Sequence, residues 1–164
     1  MSETVLKIIP IDQDYVPSPA QQENALARLR ELVPFGMHEA RVYDDLTFID
    51  PGEYCEAVLC PSCAGRVAVE PFSGSDLARD WYFGLSEAIA AGAPVRTFKT
   101  TMPCCGTSVS FTALRFHFPA GFACFELSVT DPCTADERTD LTSQQLAELE
   151  AMLGCKLMQF EARY

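Results

Sequence analysis

The chain has only two histidines, His38 and His117, and a single tryptophan, Trp81, in 164 residues. It also lacks any run of Lys or Arg. Its 12 basic residues are outnumbered by 23 acidic ones, for a formal charge of −11, and they cluster nowhere beyond Arg28 and Arg30. This removes the basic face that nucleic-acid binding needs, and it disfavours anionic membranes for the same reason. No apolar run approaches the roughly 20 residues of a membrane helix. The first residues carry no basic segment followed by a long apolar stretch, so no signal peptide is expected. The expected location is the cytoplasm, where thiols stay reduced. A phosphate-cradling glycine loop and a nucleophile elbow are both missing. With no carboxylate pair in an apolar setting and no base beside a nucleophile, catalysis has little to stand on.

Cysteine, by contrast, is plentiful, at eight residues. In a reducing compartment that number favours metal binding over disulfides. Cys60-Pro61-Ser62-Cys63 and Pro103-Cys104-Cys105-Gly106 stand out. The first is a Cys-x-x-Cys turn, in which both sulfurs point to one centre and backbone N–H groups soften their charge. Pro61 stiffens it, and Gly65 is expected to permit a tight exit. The second turn departs from that spacing. Laying 102–105 over 60–63 puts Met102 where the first thiolate belongs, Cys105 on Cys63, and Cys104 on the middle position.

Three outcomes stay open. Cys60, Cys63, Cys104 and Cys105 together hold one Zn2+; or only one of the vicinal pair ligates, with Cys55, His38 or His117 as the fourth ligand; or these are core thiols without metal. Cys55 ranks ahead of the histidines, each of which reads more simply as a hydrogen-bonded structural residue. A four-thiolate site would add about −2 to the charge and would be a poor Lewis acid. Redox work by Cys104-Cys105 is an alternative. Cys124 reads as a small buried residue, and Cys133 as a thiol blunted by its acidic loop.

Periodicity and punctuation place the elements. Residues 5–11 read as a strand. A helix follows, with Ser18 at the N-cap, Pro19 at N1, Gln21 in a capping box, and Leu26, Leu29 and Val33 as its buried stripe. Strands are expected at 39–50, 54–59 and 66–70, and a linker at 71–75. Ser75 caps a helix over 76–91 with Leu77, Trp81, Leu85 and Ile89 at helical spacing and Gly92 past its end. The strands 108–118 and 122–130 are expected to form a hairpin around Pro119-Ala120-Gly121. In the second of them Phe125, Leu127 and Val129 face in and Glu126, Ser128 and Thr130 face water. Thr142 and Gln145 open a last helix, Leu141 and Leu146 staple it, Gly154 ends it, and 156–164 forms a closing strand. The order β-α-β at each end predicts one α+β domain over 1–164. It would hold a mixed or antiparallel sheet, about three helices, and a zinc-ribbon-like hairpin pair with knuckles at 60–65 and 102–106.

The Cys60–Cys63 turn, the following Trp81 helix, the Pro103–Gly106 turn, Phe118-Pro119-Ala120-Gly121-Phe122-Ala123 and Leu153-Gly154 carry a resemblance. The chain resembles a group of small uncharacterised bacterial proteins with CPxC and PCCG zinc-ribbon-like motifs, over nearly its whole length from about Val5. The resemblance implies zinc binding and no settled activity; it assigns nothing to Cys55, Cys124 or Cys133.

The functional expectation is a non-enzymatic, zinc-stabilised acidic module that binds another protein, its charge favouring a basic one. One version is an inhibitor or toxin-neutralising, immunity-type protein. The surfaces expected to carry binding are 131–140 and 44–56. The alternatives are a thiol-redox protein or enzyme using Cys104-Cys105 and, more weakly, a nucleic-acid-binding ribbon.

Overall fold

A computed structural model describes residues 2–53, 55–70, 75–117 and 120–164. Most of the expected 71–75 linker, Tyr54 at the start of one expected strand, and Phe118 and Pro119 of the expected hairpin lie outside the described residues. The class is α+β, with three α-helices and antiparallel strand pairing. The chain divides into two compact units: Met1–Thr47 with Phe122–Tyr164, and Phe48–Gly121.

The first unit contains β1 (Thr4–Pro10), α1 (Pro19–Leu32), β2 (Phe35–Ile49, whose end enters the second unit), β8 (Gly121–Cys133), α3 (Ser143–Leu153) and β9 (Leu157–Arg163). Its sheet has the order β2-β8-β1-β9. β1 runs antiparallel to both β8 and β9, with Leu6 opposite Val129 and Glu161. This is the split β-α-β arrangement, interrupted between β2 and β8 by the second unit. Leu6, Ile8, Phe125, Leu127 and Val129 turn one sheet face to Leu29 of α1 and Leu149 and Leu153 of α3, and all are buried. Each fully buried aliphatic or aromatic side chain contributes about 1.5–3 kcal/mol.

Helix ends follow the local chemistry. Ser18 and Thr142 each accept from the N–H three residues on, and Gln21 and Gln145 return the bond, so both capping boxes form. Leu141 is buried, and Leu146 packs against the same core. Gly154 adopts φ +75 at the end of α3, a left-handed conformation that costs glycine nothing. Gly36 has φ +115, and a Cβ there would lie 2.6 Å from the Thr130 carbonyl, so the start of β2 approaches β8 as only glycine allows.

The second unit contains β3 (Ala57–Leu59), β4 (Arg66–Ala68), α2 (Asp76–Ala90), β5 (Lys99–Thr101), β6 (Ser108–Ser110), a 3-10 turn at Phe111–Ala113, and β7 (Arg115–His117). β3 pairs with β4 and β7 in one sheet, and β5 pairs with β6 in another. Phe48, Phe98, Phe111 and Phe116 form an aromatic cluster with ring centroids 5.2–5.9 Å apart. Ser75 caps α2, and Trp81 Nε1 donates to Thr100 Oγ1 at 2.8 Å, tying the helix to β5.

Three expectations need correction. The hairpin of 108–118 with 122–130 does not form: β7 pairs with β3, and β8 pairs with β1 and β2. The buried stripe of α2 runs through Ala78 and Leu85, whereas Leu77 is exposed. The second face of β8 is not uniformly wet, because Phe122, Cys124 and Glu126 are buried. Glu126 is tolerated there because the Tyr43 hydroxyl donates to its carboxylate at 2.6 Å.

Candidate metal centre

β3 runs into the first cysteine turn and β4 leaves it; β5 and β6 flank the second in the same way. The two turns share one backbone design. Cys60 N–H donates to Gly65 O at 2.9 Å, and Ala64 N–H donates to Cys60 O at 3.0 Å. In the second turn Met102 N–H donates to Thr107 O at 3.0 Å, and Gly106 N–H donates to Met102 O at 2.8 Å. Ala64 and Gly106 occupy equivalent positions and both have positive φ, 59° and 70°. The left-handed conformation therefore falls on Ala64, one residue before the glycine that the sequence expects to permit a tight exit. Gly65 answers a different need: a Cβ there would lie 3.0 Å from Cys63 Sγ and 3.4 Å from Cys104 Cβ.

The structure brings all four expected cysteines together. The sulfurs of Cys60, Cys63, Cys104 and Cys105 lie within 4.8 Å of one another. Cys60 Sγ is 3.8 Å from Cys105 Sγ, and Cys63 Sγ is 3.5 Å from Cys104 Sγ. A tetrahedron of sulfurs each about 2.3 Å from a central ion has edges of about 3.8 Å, so the cluster has the size of a four-sulfur metal site. Backbone donors support it: Ser62 N–H points at Cys60 Sγ from 3.4 Å, and Gly65 N–H at Cys63 Sγ from 3.3 Å. Cys60 is buried, while the other three are exposed.

Proximity divides the thiols of the cluster. Desolvation, with the neighbouring thiols of Cys63, Cys60 and Cys105, pushes the Cys104 thiol up to about 12. The Thr107 hydroxyl and backbone N–H hold Cys105 down, to about 7. Sulfurs this close cannot all carry charge unless a cation sits among them, whereas a coordinated thiol is deprotonated outright. The donor set therefore fits a metal ion. Thr107 is the one supporting residue that the sequence alone did not single out; its position directly after Gly106 was the available signal.

The alternative ligands lie elsewhere. Cys55 is buried, and burial raises its thiol pKa. The His38 ring nitrogen Nε2 is 2.7 Å from Val33 O, and His117 lies 3.6 Å from the Glu56 carboxylate. Among the described residues, the four cysteines are the one group of His, Cys, Asp or Glu side chains placed to hold a metal ion. No helix among the described residues is long and apolar enough to cross a membrane. Models of known protein families, curated proteins and solved structures were all compared with this chain, and none matches it.

Proposed function

We propose that the cluster holds one zinc ion in a structural role, and that the chain is a non-enzymatic cytoplasmic module that binds another protein, of the inhibitor or toxin-neutralising kind. The observation that carries the reading is the closed four-sulfur arrangement of Cys60, Cys63, Cys104 and Cys105. A catalytic zinc keeps one position for water or substrate, and its protein ligands usually include His or carboxylate. Here the donor set is complete in sulfur and anionic overall, which suits fixing two hairpin tips and does not suit polarising a carbonyl.

The formal charge of −11 supports a basic protein partner and speaks against nucleic acid. Asp44, Asp45, Asp136 and Glu137 are exposed and mark the two acidic segments. Capture from a lysate of the source cells at low and then moderate salt tests the reading. A specific partner should be retained by the wild-type chain, weakened by salt, and lost from a chain carrying Asp136→Lys and Glu137→Lys. Enrichment of no protein at either salt concentration would overturn it.

One observation favours a second reading, a thiol-redox protein. Cys104 and Cys105 are vicinal and exposed. The thiol titration described below separates the two.

A further inference from the structure

β2 ends the strand order of its sheet, so one of its edges has no partner strand among the described residues. It is also long, at 15 residues. Exposed edges of this kind are usually shortened, bulged, or armed with charged side chains, because unpaired N–H and C=O groups recruit other strands. This edge carries charges of both signs side by side. Glu39 and Arg41 are both exposed, and their side chains share a face because strand side chains alternate. Tyr43 lies on the same face, reaching Glu126 of β8, and so by alternation does Met37, which is 70% exposed. That face is opposite the one that packs on the helices, since Phe125 and Leu127 beside Glu126 point into the helix-covered core.

Read about Ala40, the segment is complementary to itself. In an antiparallel pair of two copies centred there, residue numbers across the ladder sum to about 80 by simple two-fold symmetry. Glu39 then faces the second copy's Arg41, and Arg41 faces its Glu39. Met37 faces Tyr43, His38 faces Val42, and the acidic Asp44 falls opposite Gly36, so no like charges meet. Opposite charges and apolar–aromatic pairs directly across a ladder are the stabilising unit of sheets.

We propose that the chain forms a two-fold dimer through its β2 edges, antiparallel about Ala40, joining two four-stranded sheets into one eight-stranded sheet. The proposal is independent of the metal reading, because none of these residues belongs to the cysteine cluster.

Sedimentation of the full-length chain over a concentration series tests it. The wild type should sediment as a dimer. Arg41→Glu and Glu39→Arg each create two like-charge pairs across the axis, and each should weaken the dimer at least about tenfold. The double swap, Glu39→Arg with Arg41→Glu, restores opposite charges and should restore the dimer. A wild type that stays monomeric, single reversals without effect, or a swap that fails to rescue would each overturn the proposal. Should a reversal unfold the chain, by circular dichroism, the exposed Met37→Lys replaces it: a weakened dimer supports the proposal, and an unchanged one overturns it.

Discussion

Met102 holds in the second cysteine turn the position that Cys60 holds in the first. Their N–H groups close equivalent bonds to Thr107 O and Gly65 O, at 3.0 and 2.9 Å, and both side chains are buried. The second turn has thus replaced its first thiolate with a buried thioether and moved the donor two residues on, to Cys104. The Cys104 sulfur nevertheless reaches Cys63 at 3.5 Å.

This substitution of roles can be tested by reversing it. Cys104→Ser should weaken metal binding by more than the roughly 10–100-fold that loss of a supporting contact costs. Met102→Cys added to Cys104→Ser restores the spacing of the first turn and should recover much of the loss. Competition against a chromophoric zinc chelator measures both. If Cys104→Ser binds zinc as tightly as the wild type, Cys104 is not a ligand.

Thiol accessibility gives a sharper result than metal content alone. Cys105 is exposed and held down to about 7, so without a metal it should react quickly with a thiol reagent, whereas Cys104, exposed but pushed up to about 12, should follow more slowly. In the zinc-loaded protein both should be silent, together with Cys60 and Cys63, until a chelator is added; four further thiols per chain should then react. Cys155 should stay slow at neutral pH, because burial and the nearby Glu150 and Asp12 charges push its thiol up to about 11. Rapid native reaction of Cys104 and Cys105 in metal-loaded protein would favour the redox reading.

What the sequence revealed was local. Capping boxes at Ser18–Gln21 and Thr142–Gln145 need only four residues to declare themselves, and all their bonds form. Convergence of the two cysteine turns was legible because one ion's coordination demand links distant segments. Strand partners were not legible. Residues 115–117 and 121–133 alternate as hairpin strands would, yet period-two alternation records which side chains share a face and says nothing of the neighbouring strand. Glu126 shows the same limit. Its polarity predicts water, and only the long-range meeting with Tyr43, 83 residues away, explains how it can be buried.

That meeting carries its own expectation. Tyr43→Phe removes the hydroxyl but keeps the ring, leaving the Glu126 carboxylate, 6% exposed, short of a donor. The cost should be about 1–3 kcal/mol, read as a lower denaturant midpoint with an unchanged slope. Adding Glu126→Gln should make the loss of the hydroxyl cheaper, because a neutral amide suffers less from the missing donor. A Tyr43→Phe chain as stable as the wild type would show that the carboxylate is satisfied from elsewhere.

Glu150 on α3 should make part of the stability pH-dependent, with a definite sign. The Leu157 backbone N–H donates to it at 3.0 Å and Lys156 at 2.9 Å, and these bonds hold its pKa below the ordinary 4.5. A carboxylate more acidic in the folded state stabilises the fold above its unfolded pKa, and that contribution fades as pH falls through the folded value. The wild type should therefore exceed Glu150→Gln in stability near neutrality, and the gap should close progressively below pH 4.5. Comparing the two chains at each pH cancels any acid-driven loss of metal, since both keep the same four cysteines. A gap that stays constant across the acid range would mean that the Gln side chain simply packs less well, and that the charge on Glu150 contributes nothing to joining the end of α3 to β9.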